Sequence, residues 1–411
     1  MTRMPARWSL GKRIAFRFGF LVAVLQIVPF PLGLIPGTWR LRALVYQLWD
    51  CGVVWTARVI LGIPAPSQIN HGSGDTTWHY VQLLLIGILA VAGTLAWSIL
   101  DRKRASYARL AGTAIVVLRY FLAMMLLHYG FAKVFAIQFV DLSPTRLDQR
   151  VGDMSPMGML WSFMGSSRAY TMFGGWMEVV PGLLLLWRRT SMLGALAAIA
   201  VLTNIVMMNF SYDVPVKLFS LQLLVYSIAI AAPQSMRLLA AALGYRVEEL
   251  PLRVRMTPSW ERVRWIVKLV IIGSMVLGLT QFVDRARDWR PPPTPLHGIW
   301  QVESFVADGV ERPPLLTDPV RWRKLIVSRG FVTIREMADT RVHHPAQIDA
   351  TTIRVQRGLI DEVWSYTRVE DQLVLEGRHR GHELRVTLRL EPEPLLTSRG
   401  FHWINDEPFN R

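Results

Sequence analysis

The stretch VVLRYFLAMMLLHYGFAKVFAIQF, residues 116–139, is too apolar to lie in water, yet it carries Arg119, His128 and Lys133. Ionisable side chains inside a spanning helix cost several kcal/mol at roughly mid-bilayer depth, so they face a polar cavity or an opposite charge. The stretch therefore predicts a transmembrane helix and marks a candidate intramembrane site of protonic or anionic character. Arg119 and Lys133 lie about 40° from a common helix face, whereas His128 is about 140° from Lys133. One face cannot hold all three.

Outward from this stretch, the chain up to residue 290 is of the same kind. Of 411 residues, 52% are hydrophobic, and the mean hydropathy is +0.28. Thr76–Leu100, Thr190–Tyr212 and Leu218–Met236 contain no Asp, Glu, Lys or Arg. Each is close to or beyond the ~20 residues a helix needs to cross hydrocarbon. A mainly α, polytopic helical membrane bundle is the expected fold class. About seven spans are expected from apolar length and flanking charge, near residues 14–34, 78–100, 110–139, 169–187, 192–210, 218–232 and 267–283. The basic start MTRMPARWSLGKR leads into an apolar run without an A-x-A-like site, so it reads as an uncleaved first span. Residues 36–69, with Trp39, Arg40, Arg42, Trp49, Trp55 and Arg58, read as an interfacial amphipathic segment. MGMLWSFMG at 157–165 is too short to span and reads as a re-entrant or interfacial turn.

Charge fixes an expected orientation. Of 46 Lys+Arg and 30 Asp+Glu, 16 and 17 lie from Pro291 onward, so the basic excess belongs to the membrane half. The clusters at Arg102–Arg104, Arg188–Arg189 and Arg237–Lys268 then mark cytoplasmic loops. The N-terminus is expected inside, and the outer loop with Pro144, Asp148, Arg150 and Asp153 faces the other side. Basic residues interleaved with stacking aromatics on a soluble face are absent, which excludes a nucleic-acid partner.

PPPTP at 291–295 is a stiff spacer between two composition regimes. Beyond it run IWQVESF, RWRKLIVS, GFVTIREM, TTIRVQ, EVWSYTRV, QLVLEG and HELRVTLRLE. Their alternation, with turns expected at 307–309, 328–330, 376–378 and 380–381, predicts a small all-β barrel or sandwich of about eight strands. His343 and His344 are expected in a solvated loop. The expected domains are 1–110 (N-terminal spans with the interfacial segment), 111–235 (transmembrane core), 236–290 (basic segment and last span) and 291–411 (extracytoplasmic β domain).

Glu178, in MFGGWMEVVPGLLLL, is the natural counter-charge for Lys133 or Arg119 on the next antiparallel helix. Gly174, Gly175, Pro181 and Gly182 around it allow close helix approach. In NFSYDVPVK, Asp213 and Lys217 are four apart at an outer turn and form either an exposed salt bridge or the mouth of a site. The candidate intramembrane polar site is therefore Arg119, His128, Lys133, Glu178, Asp213 and Lys217. Met124, Met125, Trp176 and Met177 are its expected apolar lining. No metal is expected. Cys51 is the single cysteine, which excludes an internal disulfide, a CxxC pair and thiolate zinc. HExxH, GxSxG, Walker and GxGxxG motifs are absent, as are haem CxxCH, Fe–S and flavin signatures.

The pattern from VVLRYFLAMMLLHYGFAKVF to GGWMEVVPGLLLLWRRTSMLGALAAIAVLTNIVMMNF, about residues 115–232, resembles the DoxX family of bacterial membrane proteins. The matching positions are Arg119, Gly130, Lys133, Glu178 and Gly182. The horizontally transferred transmembrane domain of vitamin-K-dependent carboxylase is similar in its Gly-x-x-Lys helix. Gly298-Ile299-Trp300 is similar to the Gly-x-Trp start of lipocalins, where a late Arg covers the Trp; Arg399 or Arg411 is the expected cover. The DoxX resemblance implies a multi-pass protein of the bacterial plasma membrane, accessory to a quinone-linked redox system. A quinone is the implied cofactor class, and the lipid bilayer and a redox partner subunit are the implied partners. The alternative is a non-catalytic envelope protein that binds a lipid or protein partner through its β domain.

Overall fold

The computed structural model describes residues 7–32, 35, 37–67, 72–246, 294–358 and 360–410, with scattered positions between 262 and 284. Two compact units emerge. The first comprises residues 1–138 and 171–282, and the second comprises residues 139–170 and 283–411.

The first unit is helical. It contains α1 (Leu10–Ile27), α2 (Trp39–Trp55), α3 (Thr77–Leu100) and α4 (Ala108–Val134). The second unit then takes α5 (Pro144–Leu147) and α6 (Pro156–Ser166), after which the helical unit resumes with α7 (Arg168–Leu185), α8 (Ser191–Ser211), α9 (Lys217–Ala231) and α10 (Ser235–Ala242). Among the described residues, four helices are long and apolar enough to cross a membrane: Thr77–Leu100, Ala108–Val134, Ser191–Ser211 and Lys217–Ala242. This corrects the expectation of about seven. The first and fourth expected spans do form helices, α1 and α7, but each has only 18 residues. Lys12, Arg13 and Arg17 crowd the start of α1, and Arg168 and Glu178 sit in α7. The expected span at 267–283 is described only at scattered positions, eleven of its seventeen.

Two ends of the helical unit are fixed by polar contacts. At one, Arg13 donates to the Arg102 and Arg104 carbonyls (3.1 and 2.9 Å), so the start of α1 sits beside the basic turn after α3. Arg17, 1% exposed, is satisfied there by Tyr107 Oη (3.0 and 2.7 Å), Ser98 Oγ (2.7 Å) and the Asp101 carbonyl (3.0 Å). At the other end Asp75, just before α3, caps α9 by accepting from the Lys217 and Leu218 N–H groups (2.7 and 3.1 Å). The segment expected at the interface forms α2 and a π-helical turn, Thr56–Ile60. Trp49, Val53 and Ala57 bury its inner face against Val81, Leu85 and Ile86 of α3.

The second unit is an antiparallel meander of β1 (Gly298–Ala307), β2 (Val310–Glu311), β3 (Trp322–Ser328), β4 (Phe331–Glu336), β5 (Arg341–Ile348), β6 (Thr352–Arg357), β7 (Ile360–Val369), β8 (Gln372–His379) and β9 (His382–Leu390). Pairing of β9 with β1, from Trp300↔Leu390 to Ala307↔Leu384, closes eight of the strands into a barrel. Closure removes the exposed edges that an open sheet would present. The interior is filled by Trp300, Phe305, Trp322, Leu325, Ile334, Ile353, Trp364 and Leu373, among others.

Three expectations are corrected here. His343 and His344 lie in β5 rather than a loop, and His344 is buried. Residues 376–378 run straight through β8: a Cβ on Gly377 would lie 2.8 Å from Trp364 Cδ1, so glycine makes room for the ring rather than turning the chain. The cover over Trp300 is Arg368, 5.2 Å from the ring, which also donates to the Pro295 carbonyl. Arg399 stands over Phe409 instead (3.8 Å), and Arg411 lies outside the described residues.

The stretch between α4 and α7 belongs to the barrel's unit. Asp148, with a side chain 3% exposed, takes Arg335 (2.9 Å), Lys324 (3.0 Å) and Arg341 (3.5 Å) from the outer face of the barrel. Thr145 Oγ1 adds Ser328 Oγ (3.0 Å). The expected re-entrant turn is α6 in this same unit, capped by Ser155 Oγ accepting from the Gly158 N–H (3.0 Å).

Candidate functional site

Two glycines set the geometry of the helical unit where its charges meet. A Cβ on Gly130 of α4 would lie 2.8 Å from the Gly175 carbonyl oxygen and 2.9 Å from Val179 N; one on Gly175 of α7 would lie 2.6 Å from the Gly130 carbonyl oxygen. Neither position has room for a side chain, so the backbones of α4 and α7 touch. Further along, Gly182 faces Leu127 and Ala123, so the helices run antiparallel.

This crossing brings Lys133 and Glu178 together. Lys133 Nζ lies 2.6 Å from Glu178 Oε1, with the two side chains 11% and 3% exposed. Lys133 Nζ also stands 5.9 Å from the Tyr129 ring, and Tyr129 packs on Phe219 of α9 with centroids 6.1 Å apart. Val179, one residue past the carboxylate, is fully buried in the apolar cluster that Leu122, Leu126, Ala198 and Leu202 help to build. Water is thus kept from an ammonium and a carboxylate in contact, an arrangement that can hold a hydrogen-bonding ligand or pass a proton between two bases.

The remaining site residues lie elsewhere. Arg119 is 14 residues before Lys133, about 21 Å along the helix, and stands 5.1 Å over the adjacent Tyr120 ring. His128 is on the exposed flank of α4, as its angular offset from Lys133 requires. Asp213 and Lys217 pair at 2.7 Å in the turn between α8 and α9, where Lys217 Nζ is also 3.9 Å from Asp75. Of the expected apolar lining, Trp176 and Met177 are 45% and 44% exposed and Met124 and Met125 half-buried, so these four do not form one enclosed pocket. Among the described residues no group of three or more His, Cys, Asp and Glu is placed to hold a metal ion.

Sequence reasoning missed four polar residues here. Tyr129 carries a usable signal in its i, i+4 relation to Lys133. Asp75, the acidic residue that closes a Gly/Ser-rich loop, was a recognisable cap. Arg17 fell inside an apolar run and was absorbed into it. Asn209, 6% exposed, has a buried Nδ2 without a hydrogen-bond partner among the described residues; nothing local distinguishes it.

Removing one member of the pair strands a buried charge, so Lys133→Met and Glu178→Leu should each cost about 3–5 kcal/mol, and the double variant far less than their sum. A double-mutant cycle on unfolding in detergent measures this. Small, additive single effects would show that the two groups do not support each other.

No family model and no solved structure matches the chain. The "Uncharacterized protein YwoB" of Bacillus subtilis (strain 168) is 36% identical over 107 residues, which make up 26% of this chain and 68% of that relative. At that identity, with more than two thirds of the relative covered, the chain belongs to the same family as YwoB.

Proposed function

We propose that the helical unit binds a quinone-like molecule beside Lys133 and Glu178, and that the protein is an accessory component of a quinone-linked redox system. The observation that carries this reading is the 2.6 Å ion pair held in an apolar helical unit. Intramembrane charges are costly and tend to be functional. Lys133 would donate to a carbonyl oxygen of the ligand and Glu178 would exchange its proton, while the Tyr129 hydroxyl offers a second donor beside them. Asn209 Nδ2 lies in the same unit as a buried donor without an acceptor among the described residues. The sequence carries no electron-transferring motif of its own, so the electrons come from a partner subunit. The DoxX-like pattern at Arg119, Gly130, Lys133, Glu178 and Gly182 supports the same reading.

Mass spectrometry of an organic extract tests it. Wild-type protein should carry a quinone in near-stoichiometric amount, and the shape-conserving Glu178→Gln variant should carry markedly less. Bulk phospholipid alone, in equal proportions in both, would overturn the proposal and leave the β domain as the binding element.

The proposed setting is the bacterial plasma membrane, with the N-terminus cytoplasmic and the barrel outside. The start of α1 lies beside the basic turn at 101–104, which favours the cytoplasmic side for both. The grouping of 139–170 with the barrel in one unit supports placing that loop and the barrel on one side of the membrane. Reporter fusions should behave as cytoplasmic at residue 103 and as extracytoplasmic at residue 411. Cytoplasmic behaviour at 411 would contradict the orientation.

A further inference from the structure

Beyond the last barrel strand, the chain turns its polar groups on one another and its apolar ones outward. After β9 come a short helix, α11 (Leu395–Ser398), and residues 399–410. Arg399 Nη2 donates to Asn405 Oδ1 (2.7 Å), and its guanidinium stands 3.8 Å over the Phe409 ring. Asn405 Nδ2 in turn donates to the His402 carbonyl (3.3 Å). These contacts draw 399–409 into a loop of its own, entered through Gly400 at φ +69°. At its tip Phe401, Trp403 and Ile404 are 78%, 91% and 80% exposed. The Phe401 and Trp403 rings meet edge to face, 5.0 Å apart.

Connectivity, charge and area together decide what covers this tip. The barrel's unit begins at Phe139, five residues after α4 ends at Val134, and Ser167 alone separates α6 from α7. Since α4 is long and apolar enough to cross a membrane, these short tethers give the unit a high effective concentration at a bilayer surface. Residues 395–411 carry Arg399 and Arg411 against Asp406 and Glu407, a net charge of zero. Neither a polyanionic nor a polycationic partner is therefore favoured. Aromatic side chains bury about 150–250 Å² each, so the tip offers on the order of 500 Å². A stable protein partner needs about 800 Å² from each side. A lipid interface has no such threshold for a segment already tethered to it. Trp settles at the headgroup level of bilayers, and Phe is a usual neighbour on the buried face of interfacial segments.

We infer that the tip formed by Phe401, Trp403 and Ile404 inserts into the interface of the lipid bilayer and holds the barrel's unit to the membrane surface. The inference requires only that the long apolar helices lie in a membrane. It depends neither on the quinone reading nor on which side the barrel occupies.

The full chain reconstituted in phosphatidylcholine vesicles provides the test. In a Cys51→Ser background, Trp403→Cys supplies a single thiol for an environment-sensitive nitrobenzoxadiazole dye. Lipid bearing a nitroxide just below the headgroup should quench this dye by about half or more, and aqueous iodide should quench it little. Adding Phe401→Ser and Ile404→Ser should reverse both results. Free access to iodide without lipid quenching would place the tip in water. Shielding from both quenchers would show that a protein partner or a second copy covers it. Lipid quenching that survives the two serine replacements would show that the dye, not the tip, enters the bilayer. Any of these three results overturns the inference.

Discussion

An ammonium and a carboxylate can share an apolar helical unit at tolerable cost only where they touch. The rest of the first unit is arranged around that constraint. Contact at 2.6 Å between Lys133 and Glu178 is made where the axes of α4 and α7 approach more closely than ordinary side chains permit. Gly130 and Gly175 supply that approach by presenting backbone to backbone. The apolar cluster of Leu122, Leu126, Val179, Ala198 and Leu202 then closes over the pair. Burial raises the energetic stake in both directions: a matched pair is held firmly, and a broken one is expensive.

The second unit shows the same logic with the signs reversed. Asp148 is a buried anion made tolerable by Arg335, Lys324 and Arg341, three cations from neighbouring strands. This fastening explains why 139–170 keeps company with the barrel although it lies between two helices of the first unit in sequence. The chain leaves the helical unit five residues after Lys133 and returns seven before Glu178. Both segments that flank the ion pair are therefore continuous with a stretch that the barrel holds.

What was legible in the sequence was whatever depends on uniform local character. The uncharged runs at 76–100, 190–212 and 218–236 correspond to three of the four long apolar helices, because hydropathy over one helix length needs no tertiary information. Lys133 and Glu178 stood out as odd charges in apolar text. The short helices α1 and α7 were overcounted as spans because their apolar halves dominate a sliding window that their charged ends should have shortened. Strand β5 was lost because Pro345 breaks the β-type text. In the structure the β5–β6 ladder covers only 346–348, beginning just past the proline that has no N–H to give. The role of Asp148 was out of reach, since its partners lie more than 170 residues away in sequence.

The glycine crossing can be tested against a control on the same helix. A Cβ at Gly130 meets the Gly175 backbone at 2.8 Å, whereas one at Gly112 meets nothing within 4 Å. The measurement is the coupling energy between Lys133 and Glu178, obtained by double-mutant cycle in Gly130→Leu and Gly112→Leu backgrounds. The account predicts that leucine at 130 abolishes the coupling and lowers the unfolding midpoint, while leucine at 112 leaves both as in wild type. Equal coupling in the two backgrounds would contradict it.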